Sequence, residues 1–454
     1  MRMQSSKAIP QHPMHPEQVL AMGFLLMILA GGLLLSLPLA AQSGQSIGLG
    51  AGLFTATSAV CVTGLVVVDT GTTFSLFGQL VLLTLIQAGG LGFMVFATAM
   101  MGAMGRRITL RNRVLIRESM GATTLKDVAR LIKWYGLMAL AIELAGAAVL
   151  AVRFVPALGW GKGLYFSLWH AVSAFCNAGF DLFGHFSSLT GWQSDPVVLL
   201  TVALLIILGG LGFSVMDEVL HCRSGARLSL QARIVLVMTP VLLLLGTSFY
   251  LAAEGRNAAT LGSMTAGEKM LNAFFQSATM RTAGFNSVDL AGMTDASKLM
   301  SVLLMFIGAS PASTGGGVKT TTVSVLILIV LSVIRGDDDV NVMGRRLSSN
   351  LMRRALAVLF ITLGILLGGT MALTLIEGGR YDFIDLLFET TSAMATVGVS
   401  SIGTPNLSTA SQAVLAPMMF FGRVGPLTMA MALAKRQRRN INRIHYPEEN
   451  IPIG

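Results

Sequence analysis

The chain has 454 residues, of which 53% are hydrophobic and only 12% charged. That balance excludes a soluble globular protein, whose core would have to be implausibly large, and apolar runs of bilayer-spanning length recur throughout. The net charge of +10 does not point to nucleic acid, because the basic residues sit in short stretches between apolar runs.

In chain order, residues 1–17 are polar, carry no cleavable signal pattern and read as a cytoplasmic tail. Residues 18–104 form a first module: a spanning helix over 19–41, a short apolar helix over 50–61 and a second crossing over 74–103. The order repeats in module 2 (105–222, opening with a cytoplasmic linker), with segments 128–155, 164–176 and 196–220. Module 3 (223–335) has 233–253, 267–280 and 298–334, and module 4 (336–434) has 351–376, 381–396 and 412–434. Residues 435–454 form a second cytoplasmic tail. The predicted fold is an all-α polytopic membrane protein. Four helix–re-entrant pore loop–helix repeats surround one central pore, with about eight transmembrane helices by bilayer-length arithmetic.

The short helices lead into a recurring motif: TSAVCVTGL from Thr57, SAFCNAGF from Ser173, SATMRTAGF from Ser277 and SAMATVGV from Ser392. Its glycines are Gly64, Gly179, Gly284 and Gly398, at intervals of 115, 105 and 114 residues. Such a period is a whole supersecondary module used four times. Cys61 and Cys176 each stand three residues before a repeat glycine, as small apolar packing residues; no Cys/His spacing suits a metal. Of the 32 Lys and Arg, 23 fall in the two tails and the inter-module linkers, including eight within 104–133. Both termini are therefore expected in the cytoplasm of an inner-membrane protein, with the re-entrant segments entering from outside.

Irregular backbone at membrane depth survives only where protein buries it or where it lines water. Four such segments meeting on one axis would ring a narrow file with backbone carbonyls, which can replace the hydration shell of a monovalent cation. Glycine permits the positive φ this needs, and the helix C-termini pointing inward favour a cation. The candidate ion-binding residues are Val62, Thr63 and Gly64; Asn177, Ala178 and Gly179; Thr282, Ala283 and Gly284; and Thr396, Val397 and Gly398. A single glycine after a short membrane helix is usually there for close packing; four in matched contexts favour a filter.

A second glycine cluster follows each motif: QAGGLGF from Gln87, LGGLGF from Leu208, GASPASTGGGVKTTT from Gly308 and FFGRVGP from Phe420. In three modules, helix packing or a kink explains it as well as function does. The third cannot remain a regular lipid-facing helix and should form a mid-membrane loop below the filter. The candidate gating residues are Gly308, Ala312, Ser313, Thr314, Gly315, Gly316, Gly317, Lys319 and Arg423. A phosphate-loop reading of STGGGVKTTT fails, since Val318 precedes Lys319 and no strand leads in. Lys319 and Arg423 are costly charges at membrane depth: Arg423 is either a movable barrier beneath a cation filter or a bridge between helix-end carbonyls. Glu143 reads as a structural hydrogen-bonding group, and Asp337–Asp339 as a solvated turn.

These four modules, with TSAVCVTGL, SAFCNAGF, MRTAGFN and TSAMATVGV, resemble the Trk/Ktr/HKT superfamily of bacterial potassium transporters. The length, and the closing YPEENIPIG from Tyr446, resemble the membrane subunit of its Ktr branch. The resemblance implies K⁺ as substrate, uptake promoted by Na⁺, and a homodimer with one pore per subunit. It also implies a cytosolic ring of KtrA-type nucleotide-binding domains that exchange ATP and ADP, so the chain itself needs no cofactor. Residues 308–322 match the family's intramembrane gating loop, and Arg423 a pore-facing arginine that helps close it. Glycine at all four filter positions matches the K⁺-selective members. The alternative is an alternating-access monovalent cation symporter, against which parallel rather than inverted repeats argue. An enzyme is not expected, because no nucleophile–base pair, ligand cluster or carboxylate pair occupies any one helix.

Overall fold

A computed structural model describes residues 16–92, 128–222, 228–337 and 339–425. Apart from residues 16 and 17, which belong to the first helix, both expected tails lie outside the described residues, as do most of the 104–133 linker and the C-terminal ends of the second helices in modules 1 and 4. The first helices of the modules are α1 (Pro16–Leu35), α4 (Val128–Leu158), α8 (Leu230–Glu254) and α12 (Ser349–Glu377). These four contain the spans that are long and apolar enough to cross a membrane. Their outer faces are lined with exposed leucines and a phenylalanine, such as Leu33, Leu244, Phe360 and Leu375, as lipid contact requires.

The pore helices are α2 (Leu49–Val60), α5 (Trp160–Phe175), α9 (Ala266–Thr279) and α13 (Phe383–Met394). At 12–16 residues they reach about 18–24 Å, short of the roughly 30 Å hydrocarbon core. Each has a buried C-terminal half, so it ends inside protein rather than in lipid.

The second helices differ from eight uninterrupted crossings. They are α3 (Leu76–Leu91), α6 (Pro196–Leu211) with α7 (Phe213–Leu220), α10 (Asp295–Phe306) with α11 (Thr320–Arg335), and α14 (Thr409–Val424). Helix α6 bends by 97° into α7 at Gly212, whose φ of 94° no L-residue adopts cheaply. Gly92 and Gly425 end α3 and α14 with φ of 85° and 93°. The second glycine clusters are thus breaks, and they are also packing surfaces. A Cβ on Gly89, Gly209 or Gly422 would strike the final pore-helix carbonyl of Val60, Phe175 or Met394 respectively.

A repeated tie fixes the outer ends. Glu254, closing α8, accepts from Thr294 N (2.9 Å) and Oγ1 (2.7 Å) at the N-cap of α10. Glu377, closing α12, accepts from Ser408 N (3.0 Å) and Oγ (2.8 Å) at the N-cap of α14. In module 2 the charges are exchanged: Asp195 caps α6 and Arg153 of α4 reaches it at 2.6 Å. Each tie neutralises orphan amides at a helix start with an anion. Glu254→Ala should therefore cost about 2 kcal/mol, measured as a lower thermal midpoint in detergent; an unchanged midpoint would remove the tie from the stability argument.

Candidate functional site

The four segments after the pore helices close into a ring. A Cβ on Gly64 would lie 2.6 Å from Ala178 O, and one on Gly179 2.7 Å from Gly284 Cα. One on Gly284 would lie 2.6 Å from Val397 O, and one on Gly398 2.7 Å from Gly64 Cα. Module 1 thus meets module 2, 2 meets 3, 3 meets 4, and 4 returns to 1. All twelve sequence-selected residues of these segments come together here.

Their backbone alternates in hand. The glycines have φ of 96°, 69°, 86° and 93°, and the residues two positions earlier, Val62, Asn177, Thr282 and Thr396, have φ of 56°, 58°, 80° and 53°. The residues between them are not left-handed. Left-handed backbone at a β-branched residue costs about 1–3 kcal/mol, so the surroundings must enforce it. What they enforce is the direction of the peptide groups. Thr63 N donates to Ser58 O at 2.8 Å and Gly64 N to Ser58 Oγ at 3.0 Å. Val397 and Gly398 do the same with Ser392, at 2.8 and 3.0 Å. Ala178 N bonds Ser173 O at 2.8 Å and Ala283 N bonds Thr279 O at 2.9 Å. Nine of the twelve amides bond the helix ends, whereas none of the twelve carbonyls accepts a hydrogen bond from the described residues.

The serine of the recurring Ser-Ala pair is therefore functional, although the sequence alone assigned it no role. Module 3 departs from this, because TMRTAG holds one residue more than VCVTG before its glycine. Its Ser277 turns away to Leu243 O at 2.9 Å, and Thr279 Oγ1 holds Phe285 O at 2.6 Å, as Ser173 Oγ holds Phe180 O at 2.7 Å in module 2.

On one side of the ring, a cavity of about 390 Å³ is lined by the four glycines and by Asp69, Asp181 and Asp289, with no basic residue. On the opposite side lies the broken stretch between α10 and α11, pinched by a bridge between Ile307 and Val318. Ser310 N and Thr314 N bond Gly210 O and Gly209 O at 3.0 and 3.2 Å, and Phe213 N bonds Ala312 O at 3.0 Å. The α6 break exposes those carbonyls, and the loop takes them. A Cβ on Gly315 or Gly316 would strike the hydroxyl of Thr282 or Thr396, and one on Gly317 would sit 3.3 Å from Ala395 O. Gly308 packs in turn against Gly317, 3.0 Å from its Cα on the same measure. The loop lies directly against the inner end of the ring. Ser313 Oγ closes a turn onto Ser310 O at 2.6 Å, and Lys319 Nζ straps Gly315 O at 2.8 Å.

Arg423 of α14 donates to Thr314 O in the loop and to Gly89 O and Gly90 O at the end of α3. It bridges helix-end carbonyls and also grips the loop, joining three modules. Glu143 is a hydrogen-bonding group, as read: Gln87 Nε2 donates to its Oε1 at 3.0 Å.

A mostly helical membrane chain with a four-module ring of unbonded carbonyls, an acidic mouth on one side and a plugged one on the other is a cation transport protein rather than an enzyme. The TrkH family of cation transport proteins matches residues 3–443, and the chain belongs to that family. The Ktr system potassium uptake protein B of Bacillus subtilis is 40% identical over all of both chains. The protein of that name from Vibrio alginolyticus is 40% identical over 96% of this chain and 94% of its own. The potassium/sodium uptake protein NtpJ of Enterococcus hirae is 37% identical over 97% of each. The crystal structure of the potassium transporter TrkH from Vibrio parahaemolyticus superposes with a TM-score of 0.72, at 17% identity, over 95% of this chain and 87% of that one.

Gly284→Ala should open the ring by driving a methyl group into Val397 O, lowering the thermal midpoint by several degrees. Gly136→Ala, with open space around its Cβ, should leave the midpoint unchanged or raise it by up to about 1 kcal/mol equivalent. Equal effects of the two would contradict a closed ring.

Proposed function

We propose that this protein takes up K⁺ across the inner membrane through a carbonyl selectivity filter, with both termini in the cytoplasm. The twelve unspent carbonyls carry the reading: a buried carbonyl needs a partner, and a dehydrated cation on the axis supplies one to all four modules at once. The acidic outer mouth concentrates cations before entry. The membrane potential drives them inward, worth about 2.3 kcal/mol per charge per 100 mV. The potassium-uptake names of the relatives support the choice of ion, and the potassium/sodium name of one supports promotion by Na⁺.

Residues 308–322 act as the gate, held shut by Arg423, whose charge beneath the filter opposes a passing cation. Opening requires the Thr314 and α3 contacts of Arg423 to separate. A homodimer seated on a cytosolic KtrA-type ring that binds ATP or ADP would supply that work; the Ktr-system names of the relatives support such an assembly.

In liposomes, wild type should pass K⁺ and Rb⁺ over Na⁺ and Li⁺. Gly64→Ser, which adds a side chain against Ala178 O, should reduce that preference about tenfold, equivalent to roughly 1.4 kcal/mol. Unchanged selectivity in the variant would remove Gly64 from the filter. Deleting residues 312–317 should raise flux several-fold and loosen its dependence on the cytosolic partner, whereas a folded deletion that conducts less would overturn the gate.

A further inference from the structure

Pore helix α13 presents two carboxylates one turn apart, Asp385 and Glu389, beneath the loop 400–404 that continues from the fourth filter segment. Asp385 is compensated. Lys298 Nζ, from α10, lies 2.7 Å from its Oδ1, and Ser401 Oγ donates to the same oxygen at 2.7 Å. Glu389 is not. It is fully buried, and its Oε1 accepts the Thr404 hydroxyl at 2.6 Å. Its Oε2 is buried with no hydrogen-bond partner, although the Ser400 hydroxyl faces the carboxyl.

Charge bookkeeping over this cluster leaves one negative charge unmatched: two carboxylates against one ammonium. A buried carboxylate with a bare oxygen is expensive, by several kcal/mol on general grounds, and a bound cation or a proton relieves it. The groups acting on the Glu389 carboxyl are the Thr404 and Ser400 hydroxyls and the Asp385 carboxylate, oxygen groups of the kind that ligate a hard cation. Ser400, Ser401 and Thr404 also line the outer vestibule, together with Asp69, Asp181 and Asp289. External cations are thus concentrated one side chain away from Glu389.

We propose that Glu389, with the Ser400 and Thr404 hydroxyls, forms a second monovalent-cation site, off the conduction axis and reached from the outer vestibule. A single unmatched charge and closed surroundings fit a small dehydrated ion of the sodium class. Its occupant pins the 400–404 loop to α13 and so steadies the filter segment Thr396–Gly398, which runs into that loop. This rests on reading the axis itself as a K⁺ filter, and the test keeps the two apart.

Full-length protein in detergent is held at saturating KCl, so that the axis is filled, and NaCl, LiCl, RbCl or choline chloride is added while the melting temperature is followed. Na⁺ and Li⁺ should raise it; Rb⁺ and choline should not. Glu389→Gln should raise the half-saturating NaCl concentration about tenfold or more, and Thr404→Val should shift it in the same direction. A separate KCl titration in choline reports the filter alone and should be unchanged in both variants; its absence in wild type would mark failure of the filter reading instead. If Glu389→Gln does not fold, Thr404→Val decides. A sodium titration indifferent to these substitutions overturns the site. So does a wild type without a sodium response beside an equally stable Glu389→Gln, which would place a proton on the carboxyl.

Discussion

The structure depends on the direction in which twelve peptide groups point. Nine of their twelve amides are bonded to the ends of the pore helices, and none of their carbonyls accepts a hydrogen bond from the described residues. Unpaired buried carbonyls are rare because each forfeits its hydration. On the proposed filter reading, concentrating them in one ring makes the empty ring unfavourable and the ion-filled ring favourable. The long first helices, the helix-end carboxylates Glu254 and Glu377, and the glycines packed on pore-helix ends all hold the four segments in that arrangement against its own cost.

The ring is four-fold in backbone but not in side chains, and on the proposed gating reading the asymmetry carries the control elements. Modules 1, 2 and 4 place a glycine of the second helix on the last carbonyl of the pore helix. Module 3 breaks its second helix there and threads the loop beneath Thr282 and Thr396 instead. The broken helix of module 2 offers Gly209 and Gly210 carbonyls to that loop, and the end of α3 offers Gly89 and Gly90 carbonyls to Arg423. The glycine breaks of modules 1 and 2 thus supply the acceptors that modules 4 and 3 use.

The repeat was legible because Gly64, Gly179, Gly284 and Gly398 announce positive φ by their residue type. The companion left-handed positions were not. Val62 and Thr396 are β-branched, and every local propensity argues against the conformation they adopt; only the closed ring imposes it. The extra residue before Gly284 is visible in the sequence, but the transfer of the serine's role to Thr279 is a tertiary outcome. For Arg423, chain reading left a movable barrier and a helix-end bridge side by side. Its acceptors, Thr314 and Gly89, lie 109 and 334 residues away in sequence, beyond any local pattern.

Those acceptors also explain how a guanidinium is tolerated at this depth with no acidic partner among the described residues. Helix and loop carbonyls carry partial negative charge, and a planar fork of donors can satisfy several of them at once. The arrangement is a compromise by construction. A carboxylate would hold the arginine more tightly, and would also leave a fixed negative charge at the inner mouth, where it would trap a permeating cation. On the proposed gating reading, neutral carbonyls bind the arginine strongly enough to seat it and weakly enough to release it. On the same reading, the lack of an acidic partner is what makes the closed state reversible.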